Sequence, residues 1–169
     1  MPERVQKGQG TMRAFTFENA TKIYFGGGCV KEHLLEAVKL YGETVMLAYG
    51  GGSIKTNGIY QEVMDVLKLA GKQVIEFSGI MPNPTYSKVM EGKKVVQENQ
   101  VDLILAVGGG SVMDCSKAIS MAAATDKDVW EEYWIKKGEI DFEPVPVGVI
   151  VTVVGTGSEV NGEGVITHE

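Results

Sequence analysis

Cysteine and histidine are scarce in this chain, with two of each in 169 residues. Cys29 and Cys115 cannot build a disulfide framework, and two cysteines alone do not make a zinc site. A reducing cytoplasm is the expected setting. His33 has no other histidine near it and reads as a surface or capping residue. No apolar run approaches the roughly 20 residues that a membrane helix needs. The first ten residues are polar, so no secretory leader is expected. Positive charge is also short. Sixteen Lys and Arg against 22 Asp and Glu leave a net charge of −6, which argues against a general nucleic-acid or membrane-surface role. A hydrophobic content of 44% and a mean hydropathy of zero describe an ordinary soluble globule. The length suits one domain. Met12 is a candidate start, residues 1–12 read as a disordered extension, and residues 13–169 read as the domain.

Glycine, by contrast, is abundant, and its 22 copies gather at turns. Residues 13–19 alternate in polarity and predict a half-buried strand. Residues 22–25 predict a second, closed by Gly26, Gly27 and Gly28. Residues 44–49, 74–77, 103–107 and 147–151 are short apolar runs of the kind buried on both faces of a parallel sheet. Amphipathic helices are expected over 30–41, 57–70, 86–99 and 112–124, with a short one over 129–137 that carries both tryptophans. Pro82 and Pro84 make 78–84 a loop. Residues 152–161 read as a loop and 164–167 as the start of a last strand. This alternation gives an α/β fold: a Rossmann-like, mostly parallel sheet with flanking helices.

The run Gly108-Gly109-Gly110-Ser111 organises the chemistry. It follows a buried strand and opens a helix. Glycines there let a backbone approach a pyrophosphate, and the free N–H groups of the helix's first turn point at the anion. Alone, such a turn equally serves chain geometry, and Ser111 could simply cap the helix. Three further polar clusters also follow strands: 50–55, Asn83 and 152–158. Open α/β sheets bind ligands at the carboxyl ends of their strands, so the coincidence favours a nucleotide.

The turn at 50–55, Gly-Gly-Gly-Ser-Ile-Lys, holds no acid to take a ribose 2′-hydroxyl. Ser53 and Lys55 would instead welcome a 2′-phosphate through charge-assisted hydrogen bonds, which points to NADP(H). The alternative is that Ser53 caps a helix and Lys55 is solvated.

Gly108-Gly-Gly-Ser-Val-Met-Asp-Cys-Ser-Lys117 resembles the Gly-Gly-Gly-Ser-x-x-Asp-x-x-Lys signature of iron-containing alcohol dehydrogenases. Thr152-Val-Val-Gly-Thr-Gly-Ser-Glu159 is similar to that family's second cofactor-domain motif. The stretch from Tyr49 to Gly58 and Pro82-Asn83-Pro84 look like its NADPH-dependent butanol dehydrogenase branch. The resemblance runs from about residue 15 to residue 167. It implies the N-terminal domain of a dehydroquinate synthase-like fold and a hydride transfer between NADP(H) and an alcohol or aldehyde. It also implies site residues. Gly109, Gly110 and Ser111 would bind the pyrophosphate, and Asp114 would lie toward the nicotinamide ribose. Asn83 and Thr152 would line the adenine side, and Thr156 would hold phosphates or ribose. Gly51, Gly52, Ser53 and Lys55 would receive the 2′-phosphate. Asp114 also suits a helix's first turn on dipole grounds, Lys117 could pair with it or lie on the surface, and Glu159 could hold the fold or serve the site.

The family carries a divalent metal (Fe or Zn) on one aspartate and three histidines in a second, helical domain. His33 and His168 cannot supply that set, so the 169-residue chain alone is expected to be inactive. An apolar face left beside the strand ends, or the strand at 14–18, is expected to drive homo-oligomer formation. Other readings are a non-catalytic nucleotide-binding or assembly module and a glycerol dehydrogenase-like relative. A Walker-type NTPase is excluded because the Gly-Lys-Ser/Thr ending is missing.

Overall fold

The computed structural model describes residue 16 and residues 19–169. Four strands form one parallel sheet: β1 Thr44–Tyr49, β2 Gln73–Phe77, β3 Leu103–Gly108 and β4 Val147–Val151. Their spatial order is β2-β1-β3-β4. Five helices accompany them: α1 Cys29–Val38, α2 Ser53–Thr56, α3 Ile59–Leu69, α4 Tyr86–Glu98 and α5 Gly110–Ala123.

The continuous apolar strands have a simple cause: both faces are covered. Val45, Leu47 and Tyr49 of β1 pack with Val38, Ile54, Val63 and Leu67 from α1, α2 and α3. The intervening Met46 and Ala48 pack with Val89, Val96, Cys115 and Ile119 from α4 and α5. Strand β3 divides in the same way, Leu103, Leu105 and Val107 against Ile104 and Ala106. Each fully buried Val, Leu or Ile contributes about 1.5–3 kcal/mol, so the two layers together anchor the strand ends that matter below. Helices α4 and α5 approach closely at Gly92, where a Cβ would collide with Ile119.

Cys115 lies wholly inside the α4–α5 layer, and burial pushes its thiol up to about 12. Cys29, at the start of α1, is half-buried. A thiol reagent added to the native protein is therefore expected to label Cys29 and to reach Cys115 only after denaturation. Modification of both at similar rates in the native protein would contradict this packing.

Several sequence expectations need adjustment. The strand expected at 13–19 and the extension at 1–12 fall almost wholly outside the described residues. Residues 22–25 form no strand, and Ile23 and Phe25 are exposed. A strand exists through its ladder with a neighbour, and among the described residues the four sheet strands pair only with one another. The helix expected over 57–70 is α3, and an unexpected short helix, α2, precedes it, set off by Gly58 in the left-handed region at φ +84°. The short helix near 129–137 is wound as a π-helix over Trp130–Ile135. The last expected strand is reduced to one bridge between Thr85 and Thr167.

Candidate functional site

The strand order places a switch between β1 and β3. The chain leaves β1 toward β2 on one side and later adds β3 and β4 on the other. At such a switch the loops after the two central strands diverge and leave a crevice. Here those loops are the two glycine turns, Gly50–Gly52 after β1 and Gly109–Ser111 after β3. They face one cleft of about 310 Å³, lined by Gly51, Ile80, Gly109, Gly110, Ser111 and Val153.

Glycine is required at specific points of this cleft. Gly109 is the N-cap of α5 in an extended conformation, and its carbonyl accepts from Val112 and Met113. Gly110 is the first helical residue. A Cβ there would lie 2.7 Å from Cγ2 of Thr156, so the 152–158 loop closes directly onto the helix start. Gly52 takes φ +104° and is the N-cap of α2, which makes Ser53 the first helical residue rather than the cap. Nothing lies within 4 Å of a Cβ built on Gly51 or Gly52, so that side of the cleft is open.

The expected site residues thus fall into three groups. Gly51, Gly109, Gly110 and Ser111 line the cleft itself. Gly52, Ser53, Lys55, Thr152 and Thr156 stand on the loops that form it: Thr152 donates its N–H to Gly108, and Thr156 lies against Gly110. Asn83 is exposed in a left-handed conformation, φ 54°, one residue beyond the cleft-lining Pro82.

Asp114 and Lys117 tie α5 to the segment that follows β4. The Asp114 carboxylate accepts from the Ser158 hydroxyl and from the Val165 N–H, and lies 3.6 Å from Lys117 Nζ. Lys117 donates to the carbonyls of Ser158, Asn161 and Glu163 and to the Asn161 side chain. Burial holds its ammonium below the ordinary lysine value, against the pull of Asp114. One turn of α5 therefore pins the segment 158–165 from both charges. Glu159 lies in that segment with one carboxylate oxygen buried and unpartnered among the described residues.

One group joined to α2, the helix after the first glycine turn, was not anticipated. Glu76, near the end of β2, stands opposite Leu47 in the β1–β2 register. Its carboxylate accepts from the Tyr49 hydroxyl at 2.5 Å, the Tyr60 hydroxyl at 2.7 Å and Lys55 Nζ at 3.2 Å. Lys55 also lies 4.5 Å from the Tyr60 ring centre. It is therefore paired rather than freely solvated. The Tyr49 and Tyr60 hydroxyls, with Lys55, hold Glu76 below its ordinary value of 4.5. Its contribution to stability is present above that value and is lost as pH falls through the lower folded one. The Tyr49 hydroxyl and Glu76 together raise Lys55. The signal for Glu76 was available: an acid about 20 residues beyond a first glycine turn, at the end of the next strand.

Comparison with known proteins accords with this geometry. Residues 20–169 match the sequence model of the family described as iron-containing alcohol dehydrogenase. The chain is 45% identical over 157 residues to the probable NADH-dependent butanol dehydrogenase 1 of Bacillus subtilis, covering 93% of this chain and 40% of that protein. It is 38% identical over 159 residues to the NADPH-dependent aldehyde reductase YqhD of Escherichia coli, covering 94% and 40%. Among solved structures, the NADH-dependent butanol dehydrogenase A of Thermotoga maritima superposes with a TM-score of 0.85 at 40% identity, covering 93% of this chain and 39% of that one. The chain thus spans about 40% of the length of the curated relatives it matches.

Proposed function

Since the chain belongs to the iron-containing alcohol dehydrogenase family, we propose that it is the NADP(H)-binding part of an alcohol dehydrogenase or aldehyde reductase. The observation that carries this reading is the meeting of two glycine turns, from the two central strands, in one cleft at the sheet's switch point. The bound nicotinamide would supply the hydride exchanged with a primary alcohol or aldehyde.

This chain's own residues do the holding. Beside Gly109, the N–H groups of Gly110 and Ser111 at the start of α5 offer donors, and the 14-residue helix its positive end, to the pyrophosphate. The lack of side chains at Gly109 and Gly110 admits it. Thr156 stands against Gly110, and its hydroxyl is in reach of the same phosphates or ribose. Thr152 and Asn83 border the adenine side. Gly51 and Gly52 leave the opposite wall open, and Ser53 and Lys55 offer a hydroxyl and an ammonium to a 2′-phosphate. Asp114 serves this site by fixing the 158–165 segment behind it.

Among the described residues no group of three or more His, Cys, Asp or Glu side chains could hold a metal ion. No step through a metal is therefore assigned to these residues. The family's divalent ion, Fe or Zn, would belong to the rest of the longer relatives' length. Val153, which lines the cleft, and Val154 next to it in the chain are exposed, an apolar margin suited to cover by a further domain or by a second copy of the chain. A cytoplasmic location fits the nicotinamide reading.

Calorimetric titration with NADPH and NADH tests the proposal. Both are expected to bind, NADPH more tightly. Failure of both to bind at about millimolar concentration would overturn the dinucleotide reading. Equal or tighter NADH binding would overturn the part given to Ser53 and Lys55. The relatives' names include both NADH-dependent and NADPH-dependent proteins, so membership of the family does not by itself decide the outcome.

A further inference from the structure

We propose that Glu76 sets how strongly this cleft prefers a 2′-phosphate, by competing with that phosphate for the Lys55 ammonium. The inference rests on the dinucleotide reading above and assigns the determinant of cofactor choice within it.

Four side chains form the device. Lys55 lies in α2, directly after the open Gly50–Gly52 turn. Its Nζ is 3.2 Å from Glu76 Oε2. That carboxylate is in turn fastened by two phenols: Tyr49 donates to Oε2 at 2.5 Å and Tyr60 to Oε1 at 2.7 Å. Tyr49 ends β1, Tyr60 begins α3 and Glu76 belongs to β2, so three elements fix the acid in place. Lys55 lies beside both rings, 4.5 Å from the Tyr60 centre and 5.2 Å from that of Tyr49. Its side chain stays 46% exposed, so it remains open to a ligand.

The chemistry of competition follows. An ammonium has three donors and a single charge. A 2′-phosphate reaching Lys55 must share that charge with a fixed carboxylate already paired to it. A ribose with a free 2′-hydroxyl brings no charge and meets no such opposition. Lys55 therefore favours the phosphorylated cofactor, and Glu76 offsets part of that preference. The phenols matter because they hold the carboxylate ionised and stop it swinging away when a phosphate arrives.

The probes are adenosine 2′,5′-bisphosphate and adenosine 5′-monophosphate, titrated calorimetrically into the chain and three variants. Glutamine at 76 still accepts from one phenol and donates to the other, so Glu76→Gln should keep the fold. It is expected to raise the affinity ratio, bisphosphate over monophosphate, about threefold. Lys55→Met is expected to lower the ratio about tenfold. The double variant should match Lys55→Met, because Glu76 acts through Lys55. The gain in Glu76→Gln should shrink at high salt. An unchanged or lower ratio in Glu76→Gln overturns the proposal, as does a double variant whose ratio exceeds that of Lys55→Met. If the unaltered chain binds neither probe, the dinucleotide reading falls and this inference with it. If it binds both and the ratio does not move, only this inference falls.

Discussion

Gly110→Val is expected to abolish dinucleotide binding while leaving the protein folded. The first methyl-bearing carbon would lie 2.7 Å from Cγ2 and 3.1 Å from the hydroxyl of Thr156. Thr156 is exposed and can swing aside, so the fold has an inexpensive escape. The ligand has none, because the valine branches would stand where a pyrophosphate must meet the first-turn N–H groups of α5. Losing two hydrogen bonds to a charged group, each worth about 1.5–3 kcal/mol, predicts a drop in NADPH affinity of at least about a hundredfold. Calorimetry measures the affinity, and a thermal melt beside it checks the fold. Gly162→Ala is the control, since a Cβ at that glycine meets nothing within 4 Å and Gly162 is not among the cleft residues. Retention of binding within about threefold in Gly110→Val would contradict the role given to the turn.

Asp114→Ala is expected to produce the largest loss of stability, about 3 kcal/mol. Removing the carboxylate leaves the Ser158 hydroxyl and the Val165 N–H without their acceptor and Lys117 without its counter-charge. The Asp114 side chain is only 15% exposed and that of Lys117 22%, so water replaces these partners poorly. Urea unfolding reads the loss, and faster hydrogen exchange at Val165 would locate it in the 158–165 segment. Lys117→Met alone should also destabilise. The double variant should cost less than the two single losses added together, because each charge is penalised chiefly when the other is missing. A loss below about 1 kcal/mol in Asp114→Ala would show that the segment is held by other means.

The two experiments separate two roles on one helix. Gly110 and Ser111, at the tip of α5, meet the cleft. Asp114 and Lys117, one turn further, hold the segment behind it. The tip was legible in the sequence as a strand-to-helix turn, because three glycines and a serine follow an apolar run and open a helical pattern; that it faces a cleft with the first glycine turn came from the strand order. The role of Asp114 was not, since its partners lie 44 and 51 residues away. An acid in a helix's first turn is favourable anywhere, so the sequence offered no ground to prefer one partner over another.

Residues 22–25 teach the complementary lesson. Lys-Ile-Tyr-Phe has strong strand propensity, but such propensity expresses fitness for a pleated, half-buried surface. No sheet neighbour is present for this segment among the described residues, and its apolar side chains stay exposed.

By itself the sequence determined the α/β class, the strands at 44–49, 103–107 and 147–151, the helices between them and the glycine turns that follow β1 and β3. These features depend on local pattern: apolar run, period of the helix, and the lack of a side chain where backbone must turn. Only the tertiary structure decided which turns share a cleft, because strand order is a choice among long-range pairings that no local pattern records. It also decided the charge pairing at α2, next to the first glycine turn. Glu76 reaches Lys55 and Tyr49 only because β2 pairs with β1 in the register that sets Glu76 opposite Leu47. A shift of one residue would turn that carboxylate to the other face of the sheet and leave Lys55 unpaired.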